Sequence, residues 1–245
     1  MIITAYGSDP GRLREVNQDV CAVRRLADGG VFALVCDGMG GERGGNIASG
    51  IAGRVITGYI EERLNKKHPG QPRELLCEAL RRANAEIYRT ACANDELHGM
   101  GTTAAAVLIE GDGELAHIVN VGDSRVYQIR GEGIRQLTRD HSVVQMMVEN
   151  GEITESEART HPKKRYITRA VGVMRELDVD YITADIRTGD RLLICSDGFS
   201  NYFELDEIYS LLRGETEDIP GQLIGAANAR GGSDNITVVV ITKKD

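Results

Sequence analysis

The sequence predicts an α+β fold in layers, on three observations: β-rich runs sit at both chain ends, amphipathic helices are grouped between them, and a meander of short strands follows those helices. A βαβ protein would alternate strand and helix along its length, and no such alternation is visible. With 245 residues and 41% hydrophobic content, the chain can bury a sizeable core. No internal repeat or low-complexity linker divides it, so residues 1–245 read as a single domain.

The elements follow in order. Residues 2–8, 19–25 and 31–36 are β-rich runs bounded by glycine, aspartate and asparagine. Residues 46–66 carry Ile47, Ile51, Val55, Ile56, Tyr59 and Leu64 at close to helical spacing. Residues 73–92 do the same with Leu75, Leu76, Ala79, Leu80, Ala83 and Ile87. Each helix should lay its apolar side on a sheet. Residues 103–109, 114–121 and 125–130 form the meander, joined at Gly111-Asp112-Gly113 and Gly122-Asp123, with a short strand after Gly133. Strands so closely joined are expected to pair antiparallel. Residues 142–172 stand apart as a polar inserted lobe with helices at 143–150 and 155–160 and a basic tip, Lys163-Lys164-Arg165. Strands at 191–195 and 236–242 and helices at 206–213 and 220–229 complete the chain.

The net charge of −8 repels a nucleic-acid backbone or an anionic membrane on average, and at 4% aromatic content there is no aromatic-rich basic groove. Nucleic acid and membrane are therefore excluded as main partners. The five cysteines form no C-x-x-C pair, which fits a reducing, cytoplasmic setting. No apolar run approaches the roughly 18 residues that cross a bilayer, and the start lacks a basic region followed by an apolar stretch. A soluble, unprocessed protein is expected. No heptad or long apolar edge points to assembly, so a monomer is expected.

The chemistry lies in repeated strand-end aspartates: Val35-Cys36-Asp37-Gly38, Val121-Gly122-Asp123-Ser124 and Cys195-Ser196-Asp197-Gly198, with Asp19 and Asp234 at the starts of further strands. One Asp-Gly alone is more often a turn than a ligand. Taken together, carboxylates converging at one sheet edge would repel unless cations neutralised them. Carboxylate, carbonyl and water ligands suit Mg²⁺ or Mn²⁺, and no Cys/His cluster favours zinc. The glycines at 38–45 do not end in G-K-[ST], so a nucleotide P-loop is disfavoured; they read as a bare loop against which something binds.

Arg14-Glu-Val-Asn-Gln-Asp19, Asp37-Gly-Met-Gly-Gly41, Gly101-Thr-Thr103, Val121-Gly-Asp-Ser-Arg125, Leu137-Thr-Arg-Asp-His-Ser142, Ser196-Asp-Gly198 and Asp234-Asn-Ile-Thr237 follow one another across nearly the whole chain. This ordered series resembles the metal-dependent protein phosphatases of type 2C, in particular the bacterial serine/threonine branch. The resemblance implies a four-layer αββα sandwich of two antiparallel sheets flanked by helices, with residues 142–172 as a flap lobe. It implies two to three Mg²⁺ or Mn²⁺ ions, and hydrolysis of phosphoserine or phosphothreonine through a metal-bridging water. Asp37 would bridge two metals, the Gly38 carbonyl would complete one shell, and Asp197 and Asp234 would hold the other metal. Asp19 would act through waters, and Asp123 with Asp197 would make a third position. Arg14 would grip the substrate phosphate. Phosphoproteins are the implied substrates, and a serine/threonine kinase the implied opposing partner.

The chain departs from the family at two places. Gln18 stands where many members have Glu, removing one negative charge, so weaker retention of that metal is expected. Met39 stands where the eukaryotic branch has His and has no proton to give a leaving alkoxide. A catalytically silent phosphoprotein binder and a phosphoester hydrolase of another substrate class are the competing readings. His141 and His161, the remaining histidines of note, fit a capping or packing role as well as a catalytic one.

Overall fold

The computed structural model describes residues 1–64, 70–111, 113–214 and 218–244, with Glu42 described by its backbone alone. Residues 65–66 of the first expected helix, and Asp112 of the meander, lie outside the described residues.

Two antiparallel sheets form the centre. The first has the order β1 (Ile2–Asp9), β11 (Ile236–Lys243), β10 (Arg191–Cys195), β7 (Arg125–Arg130), β8 (Gly133–Gln136). The second has the order β2 (Asp19–Arg25), β3 (Val31–Met39), β5 (Ala104–Ile109), β6 (Leu115–Val121), β9 (Asp180–Asp185), with β4 (Gly101–Thr102) added to the end of β3. The first and last strands of the chain thus pair with each other.

Side-chain alternation explains why the central strands read as unbroken apolar runs. On β3, Val31, Ala33 and Val35 face the other sheet, while Phe32, Leu34 and Cys36 face helices. On β10, Leu192 and Ile194 point between the sheets, and Leu193 and Cys195 point to the opposite helical layer. Both faces of each central strand are covered, so neither face is polar. Helices α1 (Gly41–Leu64) and α2 (Pro72–Cys92) cover the second sheet through Ala52, Ile56, Leu76, Leu80 and Ile87. Helices α5 (Asp197–Ser200), α6 (Leu205–Leu212) and α7 (Ile219–Ala229) cover the first through Phe199, Ile208 and Leu223. The expected four-layer αββα sandwich is observed.

The meander does not continue as expected. The segments at 114–121 and 125–130 do not pair: β6 lies between β5 and β9, while β7 lies between β10 and β8 in the other sheet. Gly122, at φ 104°, turns the chain across from one sheet to the other. Strand β9 and helix α5 were not anticipated, and α1 starts at Gly41 instead of residue 46. The glycines at 41–45 therefore form the first turns of a helix instead of a loop.

The lobe at 142–172 holds α3 (Val143–Glu149), capped by Ser142, and α4 (Glu155–Thr160), opened by a Thr154/Glu157 capping box. Neither helix has a buried residue. Bridges between Ser142 and Ile167 and between Thr102 and Val171 fix its base. Among the described residues no helix is long and apolar enough to cross a membrane.

Candidate metal centre

A cleft of about 960 Å³ opens at one end of the two sheets, and Arg14, Asp37, Gly38, Asp123, Asp197 and Asp234 all line it. Asp19 sits directly behind, paired in register with Asp37 across β2 and β3. The structure thus brings every sequence-predicted site residue to one place, although their positions in the chain run from 14 to 234.

Each carboxylate is set by backbone geometry as well as by side-chain bonds. Asp37 is held by Thr103, whose Oγ1 accepts from the Asp37 N–H at 2.9 Å and whose own N–H donates to the Asp37 carbonyl at 2.8 Å. Thr102 Oγ1 donates to the same carbonyl at 2.8 Å, and Thr103 shares a 2.7 Å hydroxyl contact with Ser124. Asp19 Oδ2 accepts from Ser196 Oγ at 2.7 Å. Asp19 Oδ1 is buried and has no hydrogen-bond partner among the described residues. A buried carboxylate oxygen in that position is costly unless a cation or its water completes it.

The glycines have a definite task. A Cβ on Gly38 would lie 2.2 Å from the Gly45 carbonyl oxygen, and one on Gly45 would lie 2.7 Å from both the Gly38 oxygen and Gln18 Oε1. Glycine at both places lets the first turns of α1 pack backbone to backbone on the end of β3, and it keeps the Gly38 carbonyl clear for a ligand. Gly198 allows a similar approach, since its Cβ would meet the Asn235 carbonyl at 2.0 Å.

The electrostatics follow from crowding. Burial, then the charges of Asp197 and Asp234, push the Asp19 carboxyl up to about 7 despite hydrogen bonds from Thr237 and Ser196. Burial, then the neighbouring Asp19 and Asp197, hold Asp37 well above the usual carboxylate range. Asp123 is raised well above it by burial, Asp197 and Asp140, although Arg125 opposes this. Asp197 is raised by burial and by Asp234. Among the described residues no three acidic, thiol or imidazole groups close into a tight cage. Oxygen donors and an orphaned carboxylate oxygen fit Mg²⁺ or Mn²⁺.

Arg14 lies at the cleft mouth with its side chain 48% exposed, and its Nη2 donates to Asp234 Oδ2 at 2.9 Å. Gln18 Nε2 donates to the Gly41 carbonyl at 2.9 Å. The flap supplies Arg165, Tyr166 and Ile167 to the opposite wall. Cys36 and Cys195 are buried, and burial pushes both thiols far up, so neither is a nucleophile.

Sequence reasoning gave no role to several supporting residues. Asn235 Oδ1 accepts from Gln18 N–H at 2.8 Å, and its Nδ2 donates to the carbonyls of Pro10 and Val16 at 3.0 Å, fixing the segment that carries Arg14. Ser196, inside the Ser196-Asp197-Gly198 motif, is what holds Asp19 through its hydroxyl. The available signal was position: both residues adjoin an aspartate of the site.

The model of the family Protein phosphatase 2C matches residues 12–218. The serine/threonine phosphatase stp of Listeria monocytogenes is 35% identical over 243 residues, covering 97% of this chain and 94% of that protein. The crystal structure of serine/threonine phosphatase Stp1 from Staphylococcus aureus superposes with a TM-score of 0.90 at 31% identity, covering 100% of this chain and 96% of the other. The catalytic domain of serine/threonine protein phosphatase PstP in complex with two manganese ions superposes with a TM-score of 0.87 at 31% identity, covering 100% and 99%.

Proposed function

Because this chain belongs to the protein phosphatase 2C family, we propose that it is a metal-dependent serine/threonine phosphatase that removes phosphate from phosphoserine and phosphothreonine in proteins. The observation that carries this reading is the cleft floor of mutually repelling carboxylates, with Arg14 at its mouth.

In this reading Asp37, the Gly38 carbonyl, Asp197 and Asp234 would hold Mg²⁺ or Mn²⁺. Asp19 acts through water, and Asp123 with Asp197 offers a third position. The bound metals would supply a water that deprotonates near neutral pH and would neutralise phosphoryl charge. The protein's own part is to position. Arg14 presents a permanently charged, forked donor to the phosphate and turns to it from Asp234. Thr103 holds the Asp37 backbone, and Ser196 holds the Asp19 carboxylate. Met39 lines the cleft with no titratable proton, so the leaving alkoxide is not protonated from that position.

The reading extends to a single catalytic domain over residues 1–245, supported by the pairing of the first strand with the last. It extends also to a monomer, as the lack of a heptad or long apolar edge suggests, to a cytoplasmic setting, which the cysteine usage fits, and to an opposing serine/threonine kinase, which the family resemblance implies. The test is phosphate release from a phosphothreonine peptide with Mn²⁺, with Mg²⁺ and with chelator, beside Asp197→Ala. Turnover with metal, lost with chelator and in the variant, is expected. No turnover by folded protein under any metal would replace the enzyme with a phosphoprotein-binding module.

A further inference from the structure

His141 makes more directed contacts around the cleft than its place in a motif would indicate. It is buried, and it clamps Gly122 from both sides: the Gly122 N–H donates to His141 Nδ1 at 3.0 Å, and the His141 N–H donates to the Gly122 carbonyl at 2.9 Å. Gly122 immediately precedes Asp123 and carries the φ of 104° that turns the chain between the sheets. The other ring nitrogen, Nε2, lies 3.1 Å from Asp180 Oδ2 on β9. Arg169, near the end of the flap segment, donates to Asp180 Oδ1 at 2.6 Å, and its Nη1 lies 3.1 Å from the same Nε2. Thr168 N–H donates to the His141 carbonyl at 2.7 Å.

These contacts determine the ring's protonation. A backbone N–H pointing at Nδ1 requires a lone pair there, so the proton sits on Nε2 and faces Asp180. Both Arg169 and the ring then donate to one carboxylate, and the short Arg169 contact with Nε2 is a consequence of that shared acceptor. Burial and the Arg169 charge lower the imidazole's proton affinity, in keeping with a neutral ring.

We propose that His141 is a positioning residue that sets the Gly122-Asp123 turn through Nδ1 and ties that turn to the base of the flap through Asp180 and Arg169. The proposal rests on reading Asp123 as a metal ligand. The Nδ1 bond sets the turn before Asp123, and the Nε2 bond to Asp180 fixes the tautomer that leaves Nδ1 free to accept.

The two ring nitrogens can be tested separately in the full chain. In His141→Asn the amide oxygen stands where Nδ1 was and keeps the Gly122 bond; in His141→Gln the amide nitrogen reaches Asp180 and the Gly122 bond is lost. Mn²⁺ binding is measured by calorimetry without substrate, and kcat and KM on a phosphothreonine peptide are measured alongside. His141→Asn is expected within about threefold of wild type in both. His141→Gln is expected to lose about tenfold in its weakest Mn²⁺ binding step and in kcat, with KM little changed. In an Asp123→Asn background His141→Gln should add nothing further. Nitrogen-15 correlation spectra of the metal-free chain should show the proton on Nε2. Equal behaviour of the two variants, additivity with Asp123→Asn, or a proton on Nδ1 would overturn the proposal. A wild-type chain without metal-dependent turnover would instead defeat the phosphatase reading, which the spectra and the calorimetry do not depend on.

Discussion

At the end of the sheets away from the cleft, Asp190 is almost fully buried yet fully matched. Arg130 binds it through both Nε and Nη2, the latter at 2.6 Å; Gln128 donates at 3.1 Å, and the Arg187 N–H at 2.9 Å. These partners overcome the burial that would raise its proton affinity and hold the carboxyl below the usual range. At the cleft, Asp19, Asp37, Asp123 and Asp197 are the same residue type, and their proton affinities move the opposite way. Burial pushes all of them up; at Asp190 the arginine, amide and backbone donors reverse it, while at the cleft neighbouring carboxylates add to it. Even next to the cleft, Asp140 has a three-bond contact from Arg125, so the fold supplies arginine where a carboxylate is structural. Where it leaves several carboxylates facing one another, the missing positive charge is to come from outside the chain.

The largest effect is expected from Asp37→Asn. Metal-dependent phosphate release should fall by about a thousandfold or more, or about 4 kcal/mol of transition-state stabilisation. The same variant should raise the thermal midpoint of the metal-free protein, because one repelling charge is gone; a fall in that midpoint would mean that Asp37 is structural. Asp190→Asn should do the reverse. It leaves Arg130 partly uncompensated and should cost about 2–3 kcal/mol in denaturant unfolding, while turnover per folded molecule stays within about twofold.

A pH series follows from the same pair. Asp190 titrates lower in the folded chain than its ordinary 3.8, so its linked stability is complete above that value and is lost as pH falls through the folded-state value. Unfolding curves of the wild type should therefore steepen below about pH 4, and Asp190→Asn should flatten them. The smallest effect is expected from Gln18→Glu. It adds a carboxylate beside Gly45 and Gly41 but gives up the bond to the Gly41 carbonyl. The Mn²⁺ concentration for half-maximal activity should fall by about threefold to tenfold. An unchanged value would mean that position 18 does not influence metal retention.

Much of this was legible in one dimension. The two-faced burial of β3 and β10 is written in their continuous apolar runs, and the helical periodicity of α1 and α2 in the spacing of Ile51, Val55 and Ile56 and of Leu76, Leu80 and Ile87. The site aspartates announced themselves because each follows or opens such a run. By contrast, β9 carries Tyr181, Thr183 and Asp185 among its residues and has only partial burial, so neither a clean alternation nor an apolar run marks it. The glycines after Asp37 read as a loop because their helix propensity is poor. What overrides propensity there is the close packing of α1 on β3, a contact between backbones that no single position reveals.

By itself, then, the sequence determined the layers and pointed to divalent metal and to the aspartates proposed to hold it, because burial pattern and donor chemistry are properties of residue type and spacing. Which strands share a sheet was decided only in three dimensions, since pairing of β6 with β9 and of β7 with β10 depends on which hydrogen-bonding edges remain open after the chain crosses at Gly122. The tertiary structure alone also decided which aspartates are neutralised by arginine and which are left facing each other. Asp190 and Asp37 look alike in sequence; Arg130, brought by another part of the fold, neutralises Asp190, while Asp37 faces other carboxylates, where the proposed function places a cation.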